Sequence, residues 1–150
     1  MEAPTPREIA SMTDRFFVDT NIFVYARDAS FPDKQAKAHE ILAKLWQDRS
    51  GRLSLQVCSE YYVTVTRKLK PGLEPDSAWS DLEALRAWEP LATDFATLQR
   101  ARETEVRYGL SWWDSMIVAS ACLAECTRIL SEDLSGGQEY FGLRVVNPFL

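Results

Sequence analysis

The chain predicts an α/β fold with a largely parallel sheet and helices on its faces. Three observations carry this. Short apolar runs alternate with longer helical stretches from Arg15 to the C-terminus. The first run, Phe16-Phe17-Val18, is apolar at every position, as in a strand buried on both faces. The stretches between runs are long enough for crossover helices, which should be right-handed.

Taken in order, Arg15 to Asp19 reads as the first strand and Thr20 to Arg27 as a helix with Ile22, Val24 and Tyr25 apolar. Phe31-Pro32-Asp33 is a turn. Asp33 to Arg49 is an amphipathic helix with Ala38, Ile41, Leu42, Leu45 and Trp46 on one stripe, ended by Gly51. Leu53 to Gln56 is a second strand. Val57 to Leu69 reads as helix, because Val57, Tyr61, Val65 and Leu69 fall at a spacing of four. The β-branched run Val63 to Thr66 argues the other way. Pro71-Gly72 breaks the chain. Asp76 to Trp88 is a helix, Glu89 to Ala92 a weak third strand, and Thr93-Asp94 caps a helix that Gly109 stops after Tyr108. Ser111 opens a helix through Glu125. Arg128 to Leu130 is a fourth strand, Ser135-Gly136-Gly137 a turn, and Leu143 to Val146 the last strand. Residues 1–14 read as a loose leader in which Met12 offers a second start, and residues 15–150 as the folded domain.

A length of 150 residues suits one domain. Such a chain buries about 70% of its unfolded surface and needs no disulfide staples. Lys and Arg total 17 against 22 Asp and Glu, for a net charge of -5. That excludes coating nucleic acid by bulk charge but leaves room for a local basic groove. The three cysteines, Cys58, Cys122 and Cys126, have no paired spacing and read as reduced intracellular thiols. Cys122 and Cys126 stand four apart, on one helical face if that segment is a helix. A zinc site would need two more soft ligands, and His39 is the only histidine. Met1 to Asp14 lacks the apolar core of a signal peptide. The longest nearly apolar run, Met116 to Ala124, is about half a bilayer crossing. A cytoplasmic protein is expected.

The most informative feature is an acid directly after a buried strand. Asp19 follows Phe16-Phe17-Val18, and ligands in open α/β sheets gather at the carboxyl ends of strands. Asp19 also suits a helix cap. Asp133 follows Arg128-Ile129-Leu130 by a short loop, and its plainer reading is a turn aspartate. Glu60 and Asp114 lie early in predicted helices, whose N-termini reach the same sheet edge. Ser111-x-x-Asp114 also resembles a capping box, and Glu60 alone suits a solvated surface. Topology therefore gathers Asp19, Glu60, Asp114 and Asp133 at one rim. Clustered carboxylates repel, and no Lys or Arg lies within two positions of any of them. A hard divalent ion, Mg²⁺ or Mn²⁺, would relieve that repulsion, polarise a phosphodiester and activate water.

These residues stand within longer matching text: FVDTN at Phe17–Asn21, SLQVCSEYYVTVTRK at Ser54–Lys68, YGLSWWDSMIVASA at Tyr108–Ala121, ILSEDLSGGQ at Ile129–Gln138 and VVNPF at Val145–Phe149. In this the chain resembles the PIN-domain ribonucleases, most closely the VapC-type toxins of bacterial and archaeal toxin–antitoxin pairs. The resemblance implies a PIN-like three-layer α/β/α sandwich around a mostly parallel sheet of four or five strands. It implies that Asp19, Glu60, Asp114 and Asp133 are the catalytic and metal-binding acids, supported by Thr20, Asn21 and Ser131. The reaction implied is Mg²⁺- or Mn²⁺-dependent hydrolysis of RNA by activated water, leaving a 5′-phosphate and a 3′-hydroxyl. A small antitoxin and a homodimer are the implied partners. The departures are the leader before Arg15 and the acidic balance, which leaves the RNA-binding surface unassigned.

The single histidine, His39, excludes a paired-histidine transesterification. Trp112-Trp113 and Tyr61-Tyr62 flank the acids and could stack on bases. For Trp113, core packing is the expectation. Trp112 is open to either role. Arg67, Lys68 and Lys70 are a small basic group, solvated in the plainer reading and touching RNA phosphate in the other. The competing functions are a non-catalytic PIN-like module binding RNA or protein, and a phosphoryl-transfer domain on a strand-end aspartate. The latter usually asks for a second acid two residues on, which Thr20-Asn21 does not supply.

Overall fold

Phe17 and Val18 are fully buried within β1 (Phe16–Val18), so neither face of this strand meets water. That is what an unbroken apolar run demands. The computed structural model describes residues 14–150. The expected leader lies, except for Asp14, outside the described residues.

β1 pairs in parallel with β2 (Gly51–Arg52) on one side and β3 (Arg128–Leu130) on the other. β3 pairs in parallel with β5 (Leu143–Val146), and β4 (Glu139–Tyr140) closes the edge antiparallel to β5. The sheet has five strands in the order β2-β1-β3-β5-β4. Helices flank it: α1 (Thr20–Tyr25), α2 (Pro32–Asp48), α3 (Leu55–Val63), α4 (Pro75–Leu85), α5 (Phe95–Tyr108) and α6 (Trp112–Leu123). This is the expected three-layer α/β/α arrangement. All the parallel strands end at one edge, beside the N-termini of the crossover helices.

Local helix signals match the structure. Asp94 caps α5 through a bond from the Thr97 amide at 3.0 Å, and Thr97 returns the contact. Gly109 ends it in the left-handed conformation with φ 69°.

Several expectations need correction. The second strand is Gly51–Arg52, and most of Leu53–Gln56 instead starts α3, with Ser54 as its cap. The third strand shrinks to one parallel bridge between Ser54 and Leu91. Helix α3 ends at Val63 and passes into a π-helical turn, Thr64–Lys68, where the β-branched run crowds the backbone. The edge strand β4 is additional to the expected elements, and its turn into β5 places Phe141 as well as Gly142 at positive φ. Trp113, expected in the core, is 64% exposed, and Trp112 is the ring that packs with Leu98 against Ala101 and Met116 between α5 and α6.

Gly51 does not end α2; Arg49 does, with φ 55°. Gly51 is needed for close approach. A Cβ there would lie 2.5 Å from the Trp88 ring. That ring is buried and packed at 5.8 Å from both Phe23 and Trp46, so it has nowhere to retreat. Gly51→Ala is therefore expected to lower stability by about 1–3 kcal/mol as an overpacking change. Urea denaturation followed by Trp fluorescence measures this, and an unchanged midpoint would show that the Trp88 pocket is loose.

Candidate active site

Asp19 leaves the carboxyl end of β1 and is only 6% exposed. Its backbone N–H donates to the Leu130 carbonyl at 3.0 Å, which fixes it against the end of β3. One carboxyl oxygen, Oδ1, accepts from the Thr20 amide at 2.7 Å. The other, Oδ2, accepts from the Ser131 hydroxyl at 2.7 Å. Asp19 thus heads α1 and also faces the loop after β3.

The neighbouring residues carry this contact outward. The Thr20 hydroxyl donates to Glu60 Oε2 at 2.7 Å, and Gln56 Nε2 donates to Glu60 Oε1 at 2.8 Å. Asn21 Nδ2 donates to Asp133 Oδ2 at 3.1 Å, while Asn21 Oδ1 accepts from the Glu132 amide at 3.2 Å. Three predicted acids, Asp19, Glu60 and Asp133, are thus joined through Thr20, Asn21 and Ser131, the three predicted supporting residues. Glu60 reaches the edge from the middle of α3, not from its first turn.

Asp114 stands in the first turn of α6, where its amide donates to the capping Ser111 Oγ at 3.2 Å. Among the described residues no hydrogen bond ties its carboxylate to the other three acids. Its charge acts on Tyr140, whose hydroxyl pKa is raised by burial first and by Asp114 second.

Asp19 carries the electrostatic tension of the site. Burial lifts its pKa from 3.8 to about 6, and the charges of Asp133 and Glu60 push the same way. The bonds from Ser131 and Thr20 oppose the rise without cancelling it. Among the described residues no cation adjoins Asp19. Lys68 does share a cleft of about 650 Å³ with Glu60, Asp133, Tyr25 and Phe31. Arg67 is exposed on the same turn, and Trp112 is occupied at the α5–α6 contact. His39 holds the Ala26 carbonyl at 2.6 Å from α2, a structural role.

Among the described residues, no three Asp, Glu, His or Cys side chains are placed to hold one metal ion as they stand. Each carboxylate of the linked trio instead leans on a hydroxyl or amide donor. The donor chemistry itself suits a hard divalent cation. Among the described residues it is all oxygen, with one buried carboxylate lacking a counter-charge and no imidazole or thiolate lining the cleft.

A PIN domain family model matches residues 16–135. No curated protein matches the chain. Among solved structures, a toxin-antitoxin complex from Klebsiella pneumoniae is similar, with a TM-score of 0.63 and 18% identity. That match covers 88% of this chain and 96% of the other. At this identity the likeness is one of fold.

The raised pKa of Asp19 has a defined sign. With a folded value above the unfolded one, the folded chain binds more protons between pH 4 and 6. The associated stability is present below about pH 4 and is lost as pH rises through about 6. Metal-free protein should therefore lose on the order of 2 kcal/mol relative to Asp19→Asn between pH 4 and pH 8. Paired denaturation curves at the two pH values in a chelator test this. Parallel pH dependence in the two proteins would mean that Asp19 ionises without penalty.

Proposed function

We propose that this chain, which belongs to the PIN domain family, is a Mg²⁺- or Mn²⁺-dependent endoribonuclease acting as the toxin of a toxin–antitoxin pair. One observation carries this reading. Asp19, buried at the end of β1, is joined through Thr20, Asn21 and Ser131 to Glu60 and Asp133, with no cation among the described residues to balance it.

Asp19, Glu60 and Asp133 would hold the ion, with Asp114 the fourth acid that the sequence resemblance adds. A bound divalent ion supplies a polarised phosphodiester and an activated water. The chain's own residues do the rest. Ser131 and the Thr20 amide keep Asp19 in one orientation. Thr20 and Asn21 hold Glu60 and Asp133 near Asp19, on oxygens that would have to be freed to hold an ion. Lys68 offers an ammonium group to a phosphate in the same cleft, and Phe31 and Tyr25 line it with aromatic surface. In-line attack leaves a 5′-phosphate and a 3′-hydroxyl, and no 2′-hydroxyl nucleophile is required.

The toxin role draws on the fold shared with a solved toxin-antitoxin complex. A small antitoxin, a homodimer and a cytoplasmic location complete the proposal. No helix among the described residues is long and apolar enough to cross a membrane.

Labelled RNA incubated with Mn²⁺ should be cleaved, and EDTA should abolish the cleavage. Asp19→Asn should lower the rate by at least about 10²-fold, since loss of a metal ligand removes several kcal/mol of charge stabilisation. Lys68→Ala should mainly raise KM. Cleavage that survives EDTA or Asp19→Asn would reject the mechanism. RNA binding without cleavage under every metal condition would instead favour a non-catalytic binding module.

A further inference from the structure

We infer that Lys34 of α2 is a positioning residue for this site: held by the rings of Tyr25, Phe31 and Phe149, it clamps Glu132 and thereby the loop that presents Ser131 and Asp133. The inference rests on the nuclease reading for its consequence in catalysis, though not for the clamp itself. Lys34 Nζ donates to Glu132 Oε1 at 2.8 Å and to the Tyr25 hydroxyl at 3.3 Å. The ammonium lies 4.8 Å from the Tyr25 ring centre and 5.7 Å from those of Phe31 and Phe149. The rings brace one another, with Tyr25 centred 5.7 Å from Phe31 and 5.0 Å from Phe149.

An exposed ion pair contributes little, because water competes for both partners and both side chains stay mobile. This pair differs. Its two side chains are 34% and 28% exposed, and aromatic faces replace part of the water around the ammonium. Glu132 depends on it. Its second oxygen, Oε2, is buried without a hydrogen-bond partner among the described residues. Removing the ammonium would leave a half-buried carboxylate that must swing into solvent. Its backbone cannot follow freely, since the Glu132 amide is bonded to Asn21, which also holds Asp133. The outward pull of the side chain would therefore strain that amide bond and, through Asn21 and the chain itself, loosen Ser131 and Asp133 on either side of Glu132. Among the described residues Lys34 bonds to none of Asp19, Glu60 and Asp133, so its influence passes through Glu132.

Lys34→Met keeps the stem and removes the charge, Lys34→Arg keeps the charge, and Glu132→Gln removes the other partner. Three readouts apply: hydrogen exchange at the Asp133 and Leu134 amides, Mn²⁺ affinity from the free-ion paramagnetic resonance signal without RNA, and cleavage kinetics. In Lys34→Met the two amides should exchange about tenfold faster and Mn²⁺ affinity should fall about tenfold, the scale expected of a group that orients a ligand. The kcat should fall with KM nearly unchanged. Lys34→Arg should recover most of each loss, and combining Lys34→Met with Glu132→Gln should add nothing to either. A lower melting temperature with wild-type exchange and Mn²⁺ affinity would overturn the inference, leaving Lys34 as packing alone. If wild type binds Mn²⁺ and cleaves RNA while Lys34→Met matches it, the inference fails and the nuclease reading stands. If wild type neither binds Mn²⁺ nor cleaves, the nuclease reading fails, and amide exchange alone decides whether Lys34 holds the loop.

Discussion

The Ser131 hydroxyl is the contact on which the site depends. It is fully buried and has one proton to give. Its oxygen accepts from the Asp133 amide at 3.1 Å and the Leu134 amide at 3.3 Å, so its proton points to Asp19 at 2.7 Å. One side chain thus ends β3, shapes the following loop and fixes the rotamer of the acid at the end of β1. Because the direction of that proton is set, both Asp19 oxygens are acceptors. The hydrogen bonds favour the carboxylate while burial and two nearby charges disfavour it.

This opposition explains why a costly group sits in the core. A buried carboxylate beside two others is worth less to stability than the amide of equal size would be. The fold tolerates it because the surrounding frame is firm. Phe17, Val18 and Ile129 close both sides of the strand pair, and no water reaches them. Strain of this kind at one edge of an otherwise well-packed sheet is what the proposed role of Asp19 as a metal ligand would require.

The short helix α1, which carries Thr20 and Asn21, has six residues and would not hold its shape alone. It is pinned from outside. Arg27, just past its end, makes two bonds to Asp81 on α4, at 3.0 and 2.6 Å. The Tyr61 hydroxyl of α3 donates to the same carboxylate. Burial, and then Asp81 itself, raise the pKa of that hydroxyl, so it stays a proton donor. Residues of α3 and of the segment just after α1 therefore meet at one carboxylate of α4, which ties together the elements that carry the Thr20–Glu60 contact.

What can be read from residues in order is what neighbours in the chain decide. The apolar run before Asp19, the Asp94 cap with its Thr97 reply and the Gly109 stop are local codes, each written within a few residues. The acids at strand ends follow from the same logic, since a parallel sheet places its strand ends together whatever the details. The tertiary structure alone decided the rest. Gly51 is set by a Trp88 ring distant in sequence. Ser54 and Leu91 pair by only one bridge, where propensity suggested whole strands. Trp112 and Trp113 divide between interface and solvent according to how α6 is rotated against α5, which two adjacent tryptophans cannot reveal. Lys34 and Glu132 meet across 98 positions. Their pairing depends on packing between distant segments, and no spacing along the chain encodes it.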